Sequence, residues 1–421
     1  MTSANLATMD ALYGLVDWSE PLASLIQIPM VQRLRHVRLS NIDSLDMPGI
    51  ANISRYEHVL GVARLAELVP FRSKLSKFDN VLLLASALLH DWAITAYGHL
   101  VEEALQYVGT GFDHEERLHE LASNLAPDQI GGVGMQILAG RETGLVKWAR
   151  AVVGPREATR LVEEISDHIK GRGLFGRVIS GDIDLDNIDN VYRMAYHLGL
   201  NVDRQEPQRL AKAIVDFCRD TGDPIFRKDA ETNLQRWRET RAMVYQNLML
   251  APHDFAGKLM MLFAVTTAYE NGEIAKSEWS LTDTELIHRL TASPTAAVKD
   301  SSLRWLAGEL WNCSPLEWMS GNRPDYADLR LFSNQLSSKL NRTCFAYAIK
   351  DKRDRCLSVR FDDGSTKTLG SNSRQWLFGV GSPDRRPFSA DEIGTTFRLA
   401  FSSFDTRPIG VASSDPQLSL I

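Results

Sequence analysis

The sequence contains few cysteines, no long apolar run and no excess of basic residues. None of its four cysteines takes part in a C-x-x-C spacing, so no zinc or redox motif is predicted, and free thiols in a reducing compartment are expected. No apolar run approaches the roughly 20 residues that span a bilayer. The first residues have neither the basic nor the apolar segment of a signal peptide. These absences predict a cytoplasmic protein that makes no membrane contact.

The charge balance excludes one class of nucleic-acid-binding protein. The formal net charge is −6, so the chain does not coat nucleic acid through bulk basicity, although it could still carry a local basic groove. Nucleic acid is therefore a possible partner but not the favoured one. With 421 residues, the chain has room for one large domain with an appendage, or for two to three domains.

Most of the chain has the periodicity of helices. From about residue 20 to about residue 315, apolar residues recur at helical spacing between Gly and Pro breaks. The clearest periodic segments are residues 30–39, 54–69, 79–91, 99–108 and 186–198. Ser54 and Glu57 form a capping-box pattern, which predicts that a helix begins there and places His58 in its first turn.

The pattern changes after Pro324. Residues 343–349 and 356–361 have the composition of two short strands, joined by a charged turn at 350–355. We therefore predict a mainly α fold, in which a multi-helix domain over residues 1–324 is followed by a small α+β region over residues 325–421.

The doublet His90-Asp91 ends the apolar run of residues 81–89. A helix that is apolar all round is expected to be buried. A buried aspartate then needs a partner, because its desolvation alone costs several kcal/mol. A metal ion is a natural partner for a buried histidine and carboxylate. His58 upstream and Asp186 downstream complete a candidate metal site.

Two imidazoles and two carboxylates can hold one divalent ion and leave coordination positions open for a phosphoryl oxygen and water. The mixed nitrogen and oxygen donors suit Mn, Fe, Zn or Mg, and the residue types do not choose among these ions. Taken singly, each histidine has a simpler interpretation as a hydrogen-bonded core residue. The order and local context of all four residues together favour the metal site.

The order His, His-Asp, Asp is the signature of the HD superfamily of metal-dependent phosphohydrolases, which this sequence resembles. Within it, the sequence is most similar to the deoxynucleoside triphosphate triphosphohydrolases. The similarity lies in three early segments and extends to about residue 314; the segments are residues 10–14 (DALYG), 28–35 (IPMVQRLR) and 54–63 (SRYEHVLGVA). The resemblance implies a multi-helix HD-domain fold, hydrolysis of a phosphate ester and a homo-oligomer.

The resemblance also assigns roles by position. It implies that the ligands of one divalent metal ion are His58, His90, Asp91 and Asp186. It implies that catalysis depends on His114, Glu102 and His99. It implies that the substrate contacts Arg55, Arg193, Arg241 and Tyr245. Without the resemblance, Glu102 and His114 would be interpreted as surface residues of a helix.

Asp186, Asp189 and Arg193 stand at i, i+3 and i+7, so they share one face of a helix. That face could line the site, or it could be a local stripe of ion pairs. The sequence leaves the two interpretations open.

The sequence departs from the family pattern at positions that read the substrate. Asn187 replaces a lysine or arginine, and the other departures are at Leu39, Ile94, Asn190, Met194 and residues 248–251. Losing a positive charge at position 187 is expected to weaken the hold on a triphosphate by about 1–3 kcal/mol. Deoxynucleoside triphosphates are therefore not the predicted preferred substrate. Gln27 replaces an aspartate of the family's allosteric site, so activation by guanine nucleotides is not predicted.

These observations favour an enzyme that hydrolyses a nucleotide or a related phosphate ester. A nuclease or phosphodiesterase at the same site is an alternative, and the lack of a basic stripe counts mildly against it. A third hypothesis is a regulatory module that keeps the metal as a structural element and senses a nucleotide. The changed substrate-reading positions favour this module, whereas the retained Glu102 and His114 disfavour it.

Overall fold

The structure is a computed structural model, and most of the chain is described in it. The described residues are 6–40, 45–117, 144–250, 252–321, 324–353, 355–371, 375–389, 393, 397, 401 and 405–408. Within them helices predominate and the strands form small sheets, which confirms the predicted mainly α fold class.

The α-helices follow one another along the first four fifths of the chain. In chain order, they are α1 Leu22–Ile26, α2 Pro29–Arg33, α3 Pro48–Ala51, α4 Arg55–Leu68, α5 Lys77–Leu89, α6 Leu100–Tyr107, α7 Leu145–Val153, α8 Ala158–Ile169, α9 Gly176–Ile179, α10 Leu185–His197, α11 Glu206–Ala213, α12 Glu231–Leu250, α13 Pro252–Glu270, α14 Asp283–Thr291, α15 Ala296–Leu306 and α16 Tyr326–Leu340. No single helix among the described residues is both long enough and apolar enough to cross a membrane.

In the part of the chain that the structure describes, the strands form three antiparallel or mixed sheets. In chain order, they are β1 Leu6–Asp10, β2 Gly14–Trp18, β3 Ile214–Phe217, β4 Pro224–Phe226, β5 Asn312–Cys313, β6 Glu317–Ser320, β7 Phe345–Lys350, β8 Leu357–Phe361, β9 Thr366–Leu369, β10 Gln375–Ser382 and β11 Asp405–Pro408. β1 and β2 form a hairpin. β3, β4, β8 and β9 form a second sheet in this order, and β10 is the centre of the third sheet, with β7 on one side and β5 and β6 on the other.

Four of the predicted helices are confirmed, with ends within two residues, as α4, α5, α6 and α10. The predicted helix over residues 30–39 is wrong in its second half. The chain leaves α2 through a single 3-10 turn and becomes extended at Val37. There Val37 accepts a hydrogen bond from the backbone of Arg55, and Leu39 donates one to Ile53. Pairing with the segment before α4 therefore overrides the helical periodicity.

The two strands predicted near the C-terminus are confirmed as β7 and β8, but they do not pair with each other. β7 pairs with β10, whereas β8 pairs with β9 and, in parallel, with β4 of the helical part. The charged segment between them thus passes from one sheet to another instead of closing a hairpin. The boundary after residue 324 stays a prediction, and strands from both sides of it share two sheets.

The site is positioned by the contact of α4 with α5 on one side and α10 on the other. α5 is buried continuously from Val81 to Leu89, as its apolar run predicts. Gly61 lets α10 approach α4 closely, because a Cβ atom at this position would lie 2.0 Å from Asp189 Oδ2 and 2.3 Å from Arg193 Nη2. The fold therefore places two charged groups of α10 directly over the backbone of α4.

Candidate active site

Three helix ends bring the predicted metal ligands together. His58 lies in the first turn of α4, His90 follows the last residue of α5, and Asp186 lies in the first turn of α10. Ser54 caps α4 by accepting a hydrogen bond from the Glu57 backbone at 3.2 Å. Asp184 caps α10 in the same way, at 2.6 Å from the nitrogen of Asn187. Side chains at capped helix ends are held in place by the backbone, which suits a site that needs fixed ligands.

Four side chains converge to form what we call the metal cluster: His58, His90, Asp91 and Asp186. The Nε2 atoms of His58 and His90 lie 3.2 Å apart, and Asp186 Oδ1 is 3.0 Å from the former and 3.6 Å from the latter. Asp91 Oδ2 lies 3.3 Å from His90 Nε2 and 3.7 Å from His58 Nε2. Both imidazoles are buried.

The hydrogen bonds on the far side of each ring fix which nitrogen faces the cluster. His58 Nδ1 lies 2.7 Å from Asp189 Oδ1, and His90 Nδ1 lies 2.9 Å from the carbonyl oxygen of Ala87. Both partners only accept, so in the neutral rings the Nδ1 atoms carry the hydrogens and the Nε2 atoms present lone pairs to each other and to two carboxylates. Only a cation relieves that arrangement, so the donor set fits a divalent ion.

The carboxylates of the metal cluster shift the pKa of both imidazoles upward. Burial alone would lower the pKa of His58, but hydrogen bonds to Asp186 and Asp189 raise it above its ordinary value. Burial would likewise lower the pKa of His90, but the charge of Asp91 and the bond to Asp186 raise it well above its ordinary value. The cluster therefore attracts positive charge strongly.

A buried ion network supports His58 from behind. Asp189, which accepts from His58, also accepts from Arg193 Nε at 2.8 Å and from Tyr13 Oη at 2.7 Å. Arg193 in turn lies 3.1 Å from Asp10 and 2.5 Å from Glu57 Oε1. Such outer partners hold a metal-binding imidazole in one tautomer and orientation.

The network corrects the role expected for Arg193. Its guanidinium is 0% exposed and is enclosed by three carboxylates, so it has no free face to offer a substrate. Of the two interpretations of the α10 face, the ion-pair stripe describes Asp189 and Arg193. The Glu57 carboxylate is bonded to Arg193 and His197 in the same network. It therefore does not serve as the second hydrogen-bond acceptor that the predicted capping box would require.

Arg55 is bound to the metal cluster itself. Its Nη1 donates to Asp91 Oδ2 at 2.6 Å, and its Nη2 donates to the carbonyl of Leu39 at 2.5 Å. Gly98, whose φ of +65° favours glycine, leaves room for it, because a Cβ atom there would lie 2.9 Å from Arg55 Nη2. The structure thus places this arginine beside the cluster, oriented by Asp91.

The three residues expected to carry catalysis form a second group, which we call the open cluster: His99, Glu102 and His114. His99 Nδ1 lies 2.9 Å from Glu102 Oε2, and His114 Nδ1 lies 3.1 Å from the same oxygen. The open cluster also brings its donor atoms close enough to hold a cation. In the open cluster, however, the Nδ1 atoms of both histidines already face the Glu102 carboxylate, so these groups have hydrogen-bond partners without a cation.

The Glu102–His114 pair connects the open cluster to the metal cluster. Burial alone would lower the pKa of His114, but the hydrogen bond and charge of Glu102 raise it. Burial would raise the pKa of Glu102, but its bonds to His114 and His99 hold it well below its ordinary value. His114 Nε2 points toward the metal cluster, 3.8 Å from Asp91 Oδ1. The pair is therefore arranged to carry a proton at Nε2.

An open pocket of about 290 Å³ adjoins the open cluster. Besides the three cluster residues, its lining includes Glu103, Asp113, Glu115 and, from α16, Tyr326. Four carboxylates on one pocket make this side of the site acidic. It is a poor place for a second phosphate group, because like charges repel in a partly buried space.

The cationic side of the site lies along α12. Arg241 Nη1 donates to Asn187 Oδ1 at 3.3 Å, next to the metal-cluster residue Asp186, and its guanidinium lies 4.5 Å from the ring centroid of Tyr245. The structure thus brings Arg241 and Tyr245 to the site. Asn187, where the family has a cation, is turned back onto Asp184 by two hydrogen bonds of 3.0 Å.

Sequence analysis did not identify Tyr13, Asp10 or Asp184 as contributors to the site. Burial and the charge of Asp186 raise the pKa of Asp184 to about 7. Tyr13 and Asp10 lie in the N-terminal hairpin, far from α10 in sequence. The similarity of residues 10–14 to the family was the one signal that pointed to them.

Comparisons with known proteins agree with the fold and the resemblance. No family model matches the sequence. It is 26% identical over 229 residues to the deoxynucleoside triphosphate triphosphohydrolase SAMHD1 of Danio rerio, covering 48% of this chain and 36% of that protein. It is 24% identical over 208 residues to the uncharacterized protein MJ1154 of Methanocaldococcus jannaschii, covering 49% of this chain and 37% of that protein. The matches thus span little more than a third of each relative.

A solved structure covers more of the chain. The crystal structure of a phosphohydrolase, BT4208, from Bacteroides thetaiotaomicron superposes with a TM-score of 0.63 at 15% identity, covering 90% of this chain and 100% of that one. The chain therefore shares its fold with a phosphohydrolase. The predicted resemblance to HD-type deoxynucleoside triphosphate triphosphohydrolases is confirmed.

Proposed function

We propose that this protein is a metal-dependent phosphohydrolase that cleaves a nucleotide or a related phosphate ester. One observation supports the proposal most directly. Two buried imidazoles present facing Nε2 lone pairs beside two carboxylates. One of these carboxylates, Asp91, lies 3.8 Å from His114, a histidine that is paired with a buried glutamate. The predicted ligands of one divalent ion (Mn, Fe, Zn or Mg) are His58, His90, Asp91 and Asp186. When bound, the ion supplies polarisation of a phosphoryl oxygen and activation of water.

The remaining chemistry belongs to side chains of the chain. Glu102 holds the Nδ1–H of His114, which orients the ring and stabilises its cationic form. His114 can then deliver the proton at Nε2 to the oxygen that leaves when the ester bond breaks. His99 shares the Glu102 carboxylate from the half-exposed side of the pocket. Arg55 and Arg241 neutralise charge that develops on the phosphate, a role that suits a permanently charged guanidinium.

A second candidate is a regulatory module that senses a nucleotide and keeps the metal only as a structural element. The position of Asn187 favours it, because that amide is bonded to Asp184 and no cation of α10 faces the site there. The Glu102–His114 pair speaks against it, since a structural metal has no need of a paired acid beside it. We also propose a homo-oligomer from the resemblance alone, to be tested by light scattering.

Product analysis by chromatography separates the candidates. Deoxy- and ribonucleotides, mono- to triphosphates, cyclic nucleotides and short single strands are offered with Mn, Mg, Fe or Zn in turn, and the His90→Ala/Asp91→Ala protein is the control. We expect turnover that disappears in the control, and the product identifies the bond that is cleaved. A folded wild-type protein that holds its metal and turns over nothing would leave the sensing module as the better description.

A further inference from the structure

We propose that Asp283, the first residue of α14, is a positioning residue for the open cluster. Its carboxylate holds Tyr97 in a left-handed backbone conformation and thereby fixes where α6 begins, and with it the places of His99 and Glu102. The inference rests on the proposed function for the reaction that the open cluster serves, but the contacts that support it involve neither a metal nor a substrate.

The segment that joins the two clusters is short and enclosed. Residues 92–98, which we call the connecting segment, follow Asp91 of the metal cluster and lead directly to His99 of the open cluster. Every residue of this segment is buried. A buried segment passes its backbone conformation on to the residues that follow, because a packed interior leaves it no space in which to relax. Its conformation therefore determines where the open cluster lies relative to the metal cluster.

Two successive residues at the end of the connecting segment have left-handed backbones. The φ angle is +53° at Tyr97 and +65° at Gly98. Glycine adopts such angles freely, whereas a tyrosine keeps them only where the surrounding structure compensates for the crowding of its Cβ atom. Among the described residues, the only other non-glycine residue with a positive φ is Asn341, and asparagine tolerates this conformation better. The conformation of Tyr97 therefore needs a contact that holds it.

Asp283 provides that contact. Its Oδ1 atom accepts a hydrogen bond from the backbone nitrogen of Tyr97 at 2.7 Å. Its Oδ2 atom accepts from the backbone nitrogen of Arg38 at 3.0 Å and from Arg38 Nε at 3.1 Å. The Arg38 guanidinium lies 4.6 Å from the centroid of the Tyr97 ring, which also packs edge-to-face on Trp305. One ion pair thus holds both the backbone and the ring of Tyr97.

The carboxylate of Asp283 is not needed to begin its own helix. Thr282 and Glu285 already cap α14 by forming a reciprocal capping box. Asp283 instead bonds to Tyr97 and Arg38, which lie 186 and 245 residues earlier in the chain. Its side chain is only 14% exposed, and burying a carboxylate costs free energy. Because the start of α14 is satisfied without it, this buried carboxylate serves the connecting segment.

The start of α6 depends on Tyr97. His99, which precedes the helix, provides no side-chain cap, and the backbone nitrogen of Leu100 donates to the carbonyl oxygen of Tyr97 at 3.3 Å. The conformation of Tyr97 therefore directs the first turn of α6, in which Glu102 lies. Glu102 in turn orients both histidines of the open cluster. Asp283 thus acts on the open cluster through Tyr97 and α6.

Turnover and histidine NMR spectra together test this role. The metal-loaded wild type is compared with Asp283→Ala, Asp283→Asn and the control Thr282→Ala, which weakens the cap of α14 but leaves the bond from Tyr97 in place. Turnover is measured with the nucleotide that the product analysis identifies. Ring-nitrogen spectra are recorded on protein that carries isotope-labelled histidine and Zn or Mg, and His99→Gln and His114→Gln assign the signals.

Asp283→Ala is expected to lower kcat by roughly 10- to 100-fold, because catalytic groups that are slightly misplaced lose most of their effect. Metal content is expected to stay unchanged. The ring signals of His99 and His114 are expected to shift, whereas that of His58, which α4 carries, is not. Asp283→Asn retains one acceptor oxygen, so its loss of kcat is expected to be smaller. Thr282→Ala is expected to lower the unfolding temperature without changing kcat or the ring signals.

The outcomes distinguish this inference from the proposed function. Wild-type kcat and unshifted open-cluster signals in a folded Asp283→Ala protein would overturn the positioning role, as would an equal loss of kcat in Thr282→Ala. Shifted signals in a protein that hydrolyses no phosphate ester would support the positioning role while overturning the hydrolase. If Asp283→Ala does not fold, Asp283→Asn decides by the same two readouts.

A double-mutant cycle with Tyr97→Gly tests the route of the effect. Glycine adopts the left-handed conformation unaided, so Asp283→Ala is expected to lower kcat less in the Tyr97→Gly background than in the wild type. An equal loss in both backgrounds would show that Asp283 does not act through the conformation of Tyr97.

Discussion

The metal cluster and the open cluster each contain two histidines, yet their surroundings hold those histidines differently. His58 is enclosed by packed helices and supported by Asp189 and Arg193, which are fully buried, and by the partly buried Tyr13. His99 and His114 instead share one glutamate at the edge of a pocket, and the His99 side chain is 47% exposed. Each arrangement suits a different task.

The difference lies in where the protons are fixed. In the metal cluster, the outer partners hold hydrogens on both Nδ1 atoms, so the facing Nε2 atoms are the ones that can donate a lone pair to a cation. In the open cluster, Glu102 takes the Nδ1 side and leaves His114 Nε2 able to gain and lose a proton. Under the proposed function, the fold would therefore separate metal binding from proton transfer, although Asp91 contacts both clusters.

The largest expected effect comes from breaking the metal cluster. His90→Ala/Asp91→Ala removes two donors and leaves Arg55 without its carboxylate, so we expect loss of the bound metal and a fall in turnover of roughly 1,000-fold or more. Elemental analysis and turnover measure both effects. Chelation of the wild type followed by return of the metal is the control that involves no substitution. A variant that keeps one metal per chain would show that other residues hold the ion.

Breaking the open cluster is expected to separate the two tasks. His114→Ala removes the mobile proton but no metal donor, so kcat is expected to fall by roughly 100- to 10,000-fold while the metal content stays that of the wild type. Elemental analysis of the same preparation used for kinetics makes the comparison direct. If the metal is lost together with the activity, the open cluster belongs to the metal site.

A smaller effect on metal affinity is expected from the residues that support His58, namely Asp189 and Tyr13. Asp189→Asn keeps the shape of the side chain but weakens the bond that orients His58, so metal affinity is expected to fall by roughly 10- to 100-fold. Tyr13→Phe removes only one neutral donor to Asp189 and is expected to cost a few-fold at most. Competition with a metal chelator measures both affinities, and thermal unfolding of each variant shows that it is folded. If Asp189→Asn binds the metal as tightly as the wild type does, the network does not position His58 for metal binding.

The smallest predicted effect is a shift in pH dependence. His114 acts as an acid only while protonated, so activity falls as the pH rises through its raised pKa. Glu102→Gln removes the charge that raises that pKa, which moves the alkaline limb of the kcat profile to lower pH. The shift is measured from full pH–rate profiles, with metal content checked at each end. An alkaline limb that does not move would show that another group controls it.

Sequence reasoning predicted most of the elements around the site, for a local reason. The apolar run ending at His90 and the Ser54 cap both act within one helix, and α4 and α5 appear where these signals place them. The same reasoning failed at residues 34–39, where backbone pairing with a distant segment decides the conformation. It also assigned Arg193 to the substrate, because spacing along a helix does not reveal which face is covered.

The sequence by itself determined the helices that carry the metal cluster, the donor types and the order in which the chain supplies them, because these depend on side-chain chemistry and local spacing. Only the tertiary structure decided which charges became internal. It placed Arg193 over Gly61 inside the protein, buried Arg241 against the amide of Asn187, and brought Lys352 to Tyr245 from more than 100 residues away. Those outcomes depend on the packing of distant segments, and no local pattern in the chain encodes them.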